Sequence, residues 1–219
     1  FPRYKPCGGS ISRKVDKILK FDFSDVVEDV TSGVTFSYKS RRHLFIPNDI
    51  PIASMVMRDR FDNLLVNMAK KAGASIIDST KVISVNNNIN DVTVETEKGN
   101  FQARVLIAAD GASSFIARDF FGIDSKACAV TIECEVAASI ERLEQLRGKI
   151  IIDFGQIPYG YAWIFPKKHC FSVGIAGVNP KLNRSIKEYF TEFVRRQDIL
   201  KGLEIGKQCA ISSGVQIYT

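Results

Sequence analysis

The chain has 219 residues, 45% of them hydrophobic and 25% charged, the composition of a globular protein of one or two domains that can bury a substantial core. Its formal charge of +6 suits nucleic acid, anionic lipid or a diphosphate-bearing substrate, but the clusters Lys39-Ser40-Arg41-Arg42 and Lys167-Lys168-His169 lack the interleaved aromatics of a nucleic-acid face and read as solvated turns. No apolar run approaches the roughly 18 residues of a membrane-spanning helix and no signal-peptide pattern opens the sequence, so no nucleic-acid partner and a cytoplasmic location are expected.

The sequence opens on Phe1 and closes on Gln216-Ile217-Tyr218-Thr219, which reads as strand with no turn or cap after it, so both ends read as cut. Ser10 precedes Ile11, Val15, Ile18 and Leu19 at helical spacing, which predicts a short helix over 11–21. Val34 to Tyr38 and Leu44 to Ile46, separated by a charged turn and ended by Pro47, predict an antiparallel ribbon. From Arg58 to Ala72, Phe61, Leu64, Leu65, Met68, Ala69 and Ala72 trace one helical stripe, with Asp59 and Asp62 early, Lys70 and Lys71 late and Gly73 as the stop. Ser75 to Ile77, Lys81 to Val85, Val92 to Thr96 and Phe101 to Ala108 predict a strand and a meander, followed by a helix from about Ser113 to Phe121. Val130 to Val136, Ile150 to Phe154, Tyr161 to Phe165 and Phe171 to Ala176 read as mostly antiparallel strands, interrupted by one helix over Ile186 to Arg196 with a capping box in Ser185 and Glu188. Five cysteines, an odd number without a CxxC pair, point to structural thiols in a reducing compartment rather than disulfides or a zinc ribbon.

Four constellations carry chemical possibilities. Val105 to Ala109 runs apolar into Asp110-Gly111, where a carboxylate at a strand tip can accept hydrogen bonds from ribose hydroxyls and glycine lets the chain turn beside a ligand; an ordinary turn with a capping side chain explains the same residues. Arg58 at a helix start has the donor fork that matches a pyrophosphate, or it pairs with Asp62 one turn on. In Tyr161-Ala162-Trp163-Ile164-Phe165-Pro166, the aromatic residues share one face of a strand, and Cys170, Ser172, Gly174 and Ala176 form a small-residue face on the next. That pairing makes either an apolar slot or a sheet packing its rings into core, and register decides whether the faces coincide. Cys7-Gly8-Gly9 is a loop that allows close backbone approach, with no base beside Cys7 in sequence to make it a nucleophile. Nothing matches GxGxxG, a Walker loop, a His-rich metal spacing or a Ser/His/Asp signature, so neither a metal site nor hydrolysis is expected.

Taken in order, these elements resemble the geranylgeranyl reductase family, flavoproteins related to p-hydroxybenzoate hydroxylase. Cys7-Gly8-Gly9 is similar to the family's proline, cysteine and glycine loop, Arg58 with Phe61-Asp62 to its Arg-x-x-Phe-Asp helix, and Val105 to Arg118 to its Asp-Gly motif. Tyr161 to Gly174 is similar to its YxWxFP motif followed by glycine, with Ala176 where a second glycine usually stands. The family's N-terminal GxGxxG unit and later Gly-Asp motif have no counterpart in this sequence. The resemblance implies a mixed α/β fold in which a partial, Rossmann-like FAD-binding half (1–25, 55–125 and 205–219) interleaves with an antiparallel substrate-binding half (26–54 and 126–204). It implies Arg58, Asp110 and Gly111 as FAD-binding residues. It also implies Cys7, Gly8, Gly9, Tyr161, Trp163, Phe165, Pro166 and Gly174 around an isoprenoid or prenylated lipid. The implied reaction saturates an isolated carbon-carbon double bond with hydride from reduced flavin, electrons coming from NADPH or a ferredoxin. No residue presents itself as proton donor, and the oligomeric state is not legible. Peripheral membrane contact follows as an expectation from basic charge and a lipid-like substrate. The rival readings are a flavin-dependent monooxygenase or halogenase, and a non-catalytic prenyl- or lipid-binding module.

Overall fold

Short runs of β-branched and aromatic residues with alternating polarity dominate the sequence, and most become strands. The computed structural model describes residues 1–122, 128–178, 181–205 and 209–216. In chain order the strands are β1 (Ser10–Ser12), β2 (Val27–Thr31), β3 (Gly33–Tyr38), β4 (Arg42–Pro47), β5 (Ala53–Val56), β6 (Val82–Asn87), β7 (Val92–Thr96), β8 (Gly99–Ala103), β9 (Cys128–Ala137), β10 (Lys149–Phe154), β11 (Tyr161–Pro166), β12 (Cys170–Val178) and β13 (Cys209–Gln216). The α-helices are α1 (Arg58–Lys71), α2 (Phe115–Phe121), α3 (Ile140–Leu146) and α4 (Ile186–Arg195). Among the described residues three sheets result: a seven-stranded one in the order β13-β9-β12-β11-β10-β3-β4, and two three-stranded ones, β1-β5-β2 and β6-β7-β8. The architecture is the mixed α/β one expected, and the meander and the antiparallel ribbon lie where the pattern put them.

Side-chain alternation gives the large sheet two unlike faces. One carries Ile132, Val136, Ile164, Phe171, Val173 and Ile175, against which α3 packs Leu143 and Leu146 and α4 packs Ile186, Tyr189, Phe190 and Phe193. The capping box of α4 forms as predicted, Ser185 accepting from the Glu188 amide and Glu188 from the Ser185 amide. Helix α3 was not anticipated, although Ile140, Leu143 and Leu146 recur at helical spacing. The opposite face carries Tyr161, Trp163 and Phe165, and the small β1-β5-β2 sheet covers one end of it through Ala53 and Met55. Among the described residues no helix is long and apolar enough to cross a membrane.

Several expectations are corrected. Residues 11–21 do not form an α-helix, because Ser10, Ile11 and Ser12 pair with Met55, Ser54 and Ala53, and a 3-10 turn follows over Arg13–Lys17. Sheet pairing here overrides a weak helical period. Neither Ser75 to Ile77 nor 104–108 is strand: Ile77, Val105 and Ile107 are 51%, 74% and 84% exposed. Apolar runs of this kind are held as strands by neighbours on both sides, and no described strand pairs with either. Cys134 and Cys209, directly opposite in the β9–β13 register, are joined in a disulfide, so parity and spacing of the cysteines misled. The same register places 209–216 on the large antiparallel sheet, although 205–219 was assigned to the other half; residues 217–219, read as strand, lie outside the described residues. Likewise β2 pairs with β5 in the small sheet.

Ser185→Ala removes the side-chain acceptor at the start of α4 and is expected to lower stability by about 1 kcal/mol in urea denaturation, since the Glu188 amide keeps only the Ser185 carbonyl and the Glu188 carboxylate loses the hydroxyl donor.

Candidate functional site

Register settles whether the aromatic and small-residue faces coincide. Tyr161 stands opposite Ala176, Trp163 opposite Gly174 and Phe165 opposite Ser172, so they share one face. The space above Gly174 is not an open slot: a Cβ there would lie 2.1 Å from Cζ2 of Trp163, whose indole occupies it. The rings form a continuous row, with centroid separations of 6.0 Å from Phe165 to Trp163, 5.9 Å to Tyr161, 6.5 Å to Phe154 and 6.1 Å to Phe36. Trp163 and Phe165 are 5% and 7% exposed, whereas Tyr161 and Phe154 are 42% and 44% exposed. One end of the row is therefore packed and the other is an open apolar wall. Pro166, one residue out of phase and paired with Phe171, is fully buried on the helix-covered side. Two recesses of about 770 Å³ and 720 Å³ open elsewhere, and none of these five rings lines either.

The packed end is closed by the glycine loop. A Cβ on Gly8 would come within 2.8 Å of Phe165 and 2.9 Å of Nε1 of Trp163, so only glycine lets the backbone rest on both rings. Gly9 has φ +66°, and its amide carbonyl accepts from the Val56 amide at 2.8 Å. Lys167 holds this arrangement, its Nζ donating to the Gly8 carbonyl at 2.7 Å and the Val56 carbonyl at 2.9 Å. Lys167 is 4% exposed and burial brings its pKa down to about 8, so the reading of it as part of a solvated turn is wrong. The signal was present: Tyr161, Trp163, Phe165 and Lys167 are successive members of one period-two series. Cys7 is exposed at the mouth of the loop, where its thiol accepts from the Gly9 amide at 3.5 Å, and it lies beside Arg58. Arg58 also takes Asp62 in a two-pronged pair at 2.8 and 3.1 Å, which Arg3 joins at 3.5 Å.

A second group missed at the sequence level lies beside the row. Glu133, on β9, is 2% exposed and accepts from Ser172 Oγ at 2.9 Å and from the Tyr4 hydroxyl at 3.2 Å, while Trp163 Nε1 donates to Ser172 Oγ at 3.3 Å. Burial, aided by the neighbouring Glu135, raises Glu133 to about 7; Ser172, Tyr4 and Lys167 pull the other way. Burial also pushes the Tyr4 phenol well above its usual range and Cys170 up to about 12. The clue was the alternation of Thr131, Glu133 and Glu135 with Ile132, Cys134 and Val136, which places carboxylates on the face that carries the rings.

Asp110 and Gly111 are not part of this cluster. Asp110 is exposed, and Gly111 turns the chain with φ +87° where a Cβ would meet nothing within 4 Å. The following helix starts later than predicted and is capped by Ser114, which accepts from the Ala117 amide at 2.9 Å. The structure thus brings together Cys7, Gly8, Gly9, Tyr161, Trp163, Phe165 and Gly174, sets Arg58 beside Cys7 but pairs it with Asp62, and leaves Asp110 and Gly111 on a separate surface turn.

This arrangement sits in a fold with known counterparts. The chain superposes on a geranylgeranyl bacteriochlorophyll reductase-like protein of Thermoplasma acidophilum with a TM-score of 0.75 at 20% identity, covering 94% of this chain and 56% of that one. On an FAD complex of the halogenase PltM the TM-score is 0.68 at 14% identity, covering 94% and 47%. The fold is the mixed α/β fold these proteins share. In sequence the chain is 32% identical over 173 residues to the digeranylgeranylglycerophospholipid reductase of Methanocaldococcus jannaschii, covering 75% of this chain and 43% of that protein. It is 28% identical over 193 residues to the geranylgeranyl diphosphate reductase of Rhodobacter capsulatus, covering 83% and 48%. No family model matches. The resemblance seen in the motifs holds: this chain is a relative of the geranylgeranyl reductases, and it spans about half the length of the curated relatives it matches.

Gly8→Ala forces the loop off Phe165 and Trp163 and is expected to lower stability by about 1–3 kcal/mol in urea denaturation. A pH effect follows from Glu133. With a folded pKa of about 7 against an ordinary 4.5, the folded chain keeps a proton that the unfolded chain releases between those values. The stability from the neutral acid is full below the lower value and declines as pH rises towards the higher one. Glu133→Gln keeps the shape without the charge, so above neutral pH it should exceed the wild type in stability by on the order of 1–3 kcal/mol, the gap closing in acid. Urea titrations across this range check the sign, and a gap independent of pH contradicts it.

Proposed function

We propose that this chain is part of an FAD-dependent oxidoreductase that saturates isolated carbon-carbon double bonds in an isoprenoid or prenylated lipid. The observation carrying the reading is the row of five rings, packed at Phe165 and Trp163 and open from Tyr161 onward. A polyprenyl chain has no polar group for most of its length, so it is recognised by a long apolar wall rather than by hydrogen bonds. The relatives named for geranylgeranyl substrates support the same substrate class.

Two of this chain's groups have the chemistry to hold FAD. Asp110 offers an exposed carboxylate for ribose hydroxyls on a glycine turn and Arg58 offers a guanidinium matched to phosphate, while the space beside Gly8 and Gly9 is taken by Phe165, Trp163, the Val56 carbonyl and Lys167. When bound, reduced flavin supplies hydride to one alkene carbon. The protein's own part is to hold the chain against the rings, keep water away at the packed end, and see that the neighbouring carbon receives a proton. In this reading the residues around α1 and Asp110 serve FAD, and the large sheet serves the substrate. A nicotinamide or a small iron-sulfur protein would regenerate the reduced flavin, and the basic charge would aid contact with anionic lipid.

The test uses the protein at its natural full length. A visible flavin spectrum is expected, and the prereduced protein mixed with a geranylgeranyl lipid without oxygen should give product heavier by two hydrogens per double bond. Product formed only with oxygen would make it a monooxygenase or halogenase, and failure to take up added FAD would make it a lipid-binding module. Asp110→Asn should weaken FAD binding by about tenfold, as loss of a charged acceptor does.

A further inference from the structure

Glu133 is buried on the ring-bearing face, and both of its oxygens accept from neutral hydroxyls, Ser172 and Tyr4. The buried cation on this face, Lys167, commits two of its three donors to the Gly8 and Val56 carbonyls and acts on Glu133 only through space. The two hydrogen bonds favour the carboxylate, but burial, with Glu135 beside it, outweighs them and favours the protonated acid. The titratable and charged groups facing it are Tyr4 from the segment before the glycine loop, Glu135 on its own strand, and Lys167 and Cys170 at the turn between β11 and β12. The connections have a direction. Trp163 can only donate, so the path ends at the indole, and the other end is Tyr4, 49% exposed and three residues before Cys7.

We propose that Glu133, acting through the Tyr4 hydroxyl, supplies the proton that completes reduction of the double bond. This rests on the reductase reading. With the hydride that a bound reduced flavin would supply to one alkene carbon, the adjacent carbon takes the Tyr4 O–H proton; in the protonated acid the 3.2 Å contact runs the other way, the Glu133 O–H donating to the Tyr4 oxygen, so Glu133 replaces the proton Tyr4 gives up. Both new bonds are C–H, the flavin is oxidised by two electrons, and Glu133 is left as carboxylate. It regains a proton from solvent through Tyr4 once product has left.

Trp163 is the only tryptophan in the chain and is joined to Glu133 through Ser172, so its emission reports the protonation of Glu133 with no flavin present. In flavin-free protein the emission should change with a midpoint near neutral pH. The change should vanish in Glu133→Gln and persist in Tyr4→Phe. In the flavin-loaded full-length protein, anaerobic single-turnover saturation should slow by about 100-fold or more in both variants, the loss typical of a missing general acid, with FAD affinity unchanged. The wild-type rate should decline as pH rises through the midpoint seen by fluorescence. A pH change in emission that survives in Glu133→Gln, or wild-type rates in either variant, would overturn the proposal while leaving the reductase reading intact. A wild-type protein that saturates no prenyl substrate would end both.

Discussion

The Lys167 ammonium fixes the position of everything around the site. It lies in the turn after β11, where its own amide donates to the Cys170 carbonyl at 2.8 Å, and it reaches across to the Gly8 and Val56 carbonyls at 2.7 and 2.9 Å. Burying a cation is unfavourable, and its two bonds to carbonyls offset part of that cost. The arrangement therefore persists only while the Gly8-Gly9 backbone sits against Trp163 and Phe165. The absence of a Cβ at Gly8, the indole over Gly174 and the lysine are three parts of one contact.

That contact produces an asymmetric aromatic row. At the packed end the rings are covered by the loop and by Ala53 and Met55 of the small sheet, and at the other Tyr161 and Phe154 remain open. Beside the packed end lies a carboxyl whose burial holds it near a pKa of about 7, reached from outside through one phenol. The open apolar wall and the acid poised around neutrality are the parts that the proposed hydride-plus-proton reduction would use.

Much of this was legible in the sequence. The aromatic motif and α1 were read correctly because both depend on periodicity, and the α4 capping box because three residues specify it. The residues that matter most at the packed end, Lys167 and Glu133, were not found. A lysine after a proline reads as surface and a glutamate in a strand reads as solvent-facing; only the register of β11 with β12 and of β9 with β12 turns both inward. Lys167 was the more recoverable, since it continues the series begun at Tyr161. The apolar runs near Ile77 and Val105 were read as strands from hydrophobicity alone, and strand formation depends on partners that hydrophobicity does not identify. The Cys134–Cys209 link, 75 residues apart, was likewise invisible until the sheet order was known.

The most direct test of the account is the solvent accessibility of Trp163, measured by acrylamide quenching in the wild type and in Lys167→Met. If Lys167 holds the glycine loop on the rings, the wild-type indole is shielded and emits at short wavelength, and in the variant the loop lifts and quenching rises several-fold towards that of an exposed tryptophan. Equal quenching in the two folded proteins, or free quenching in the wild type, would contradict it.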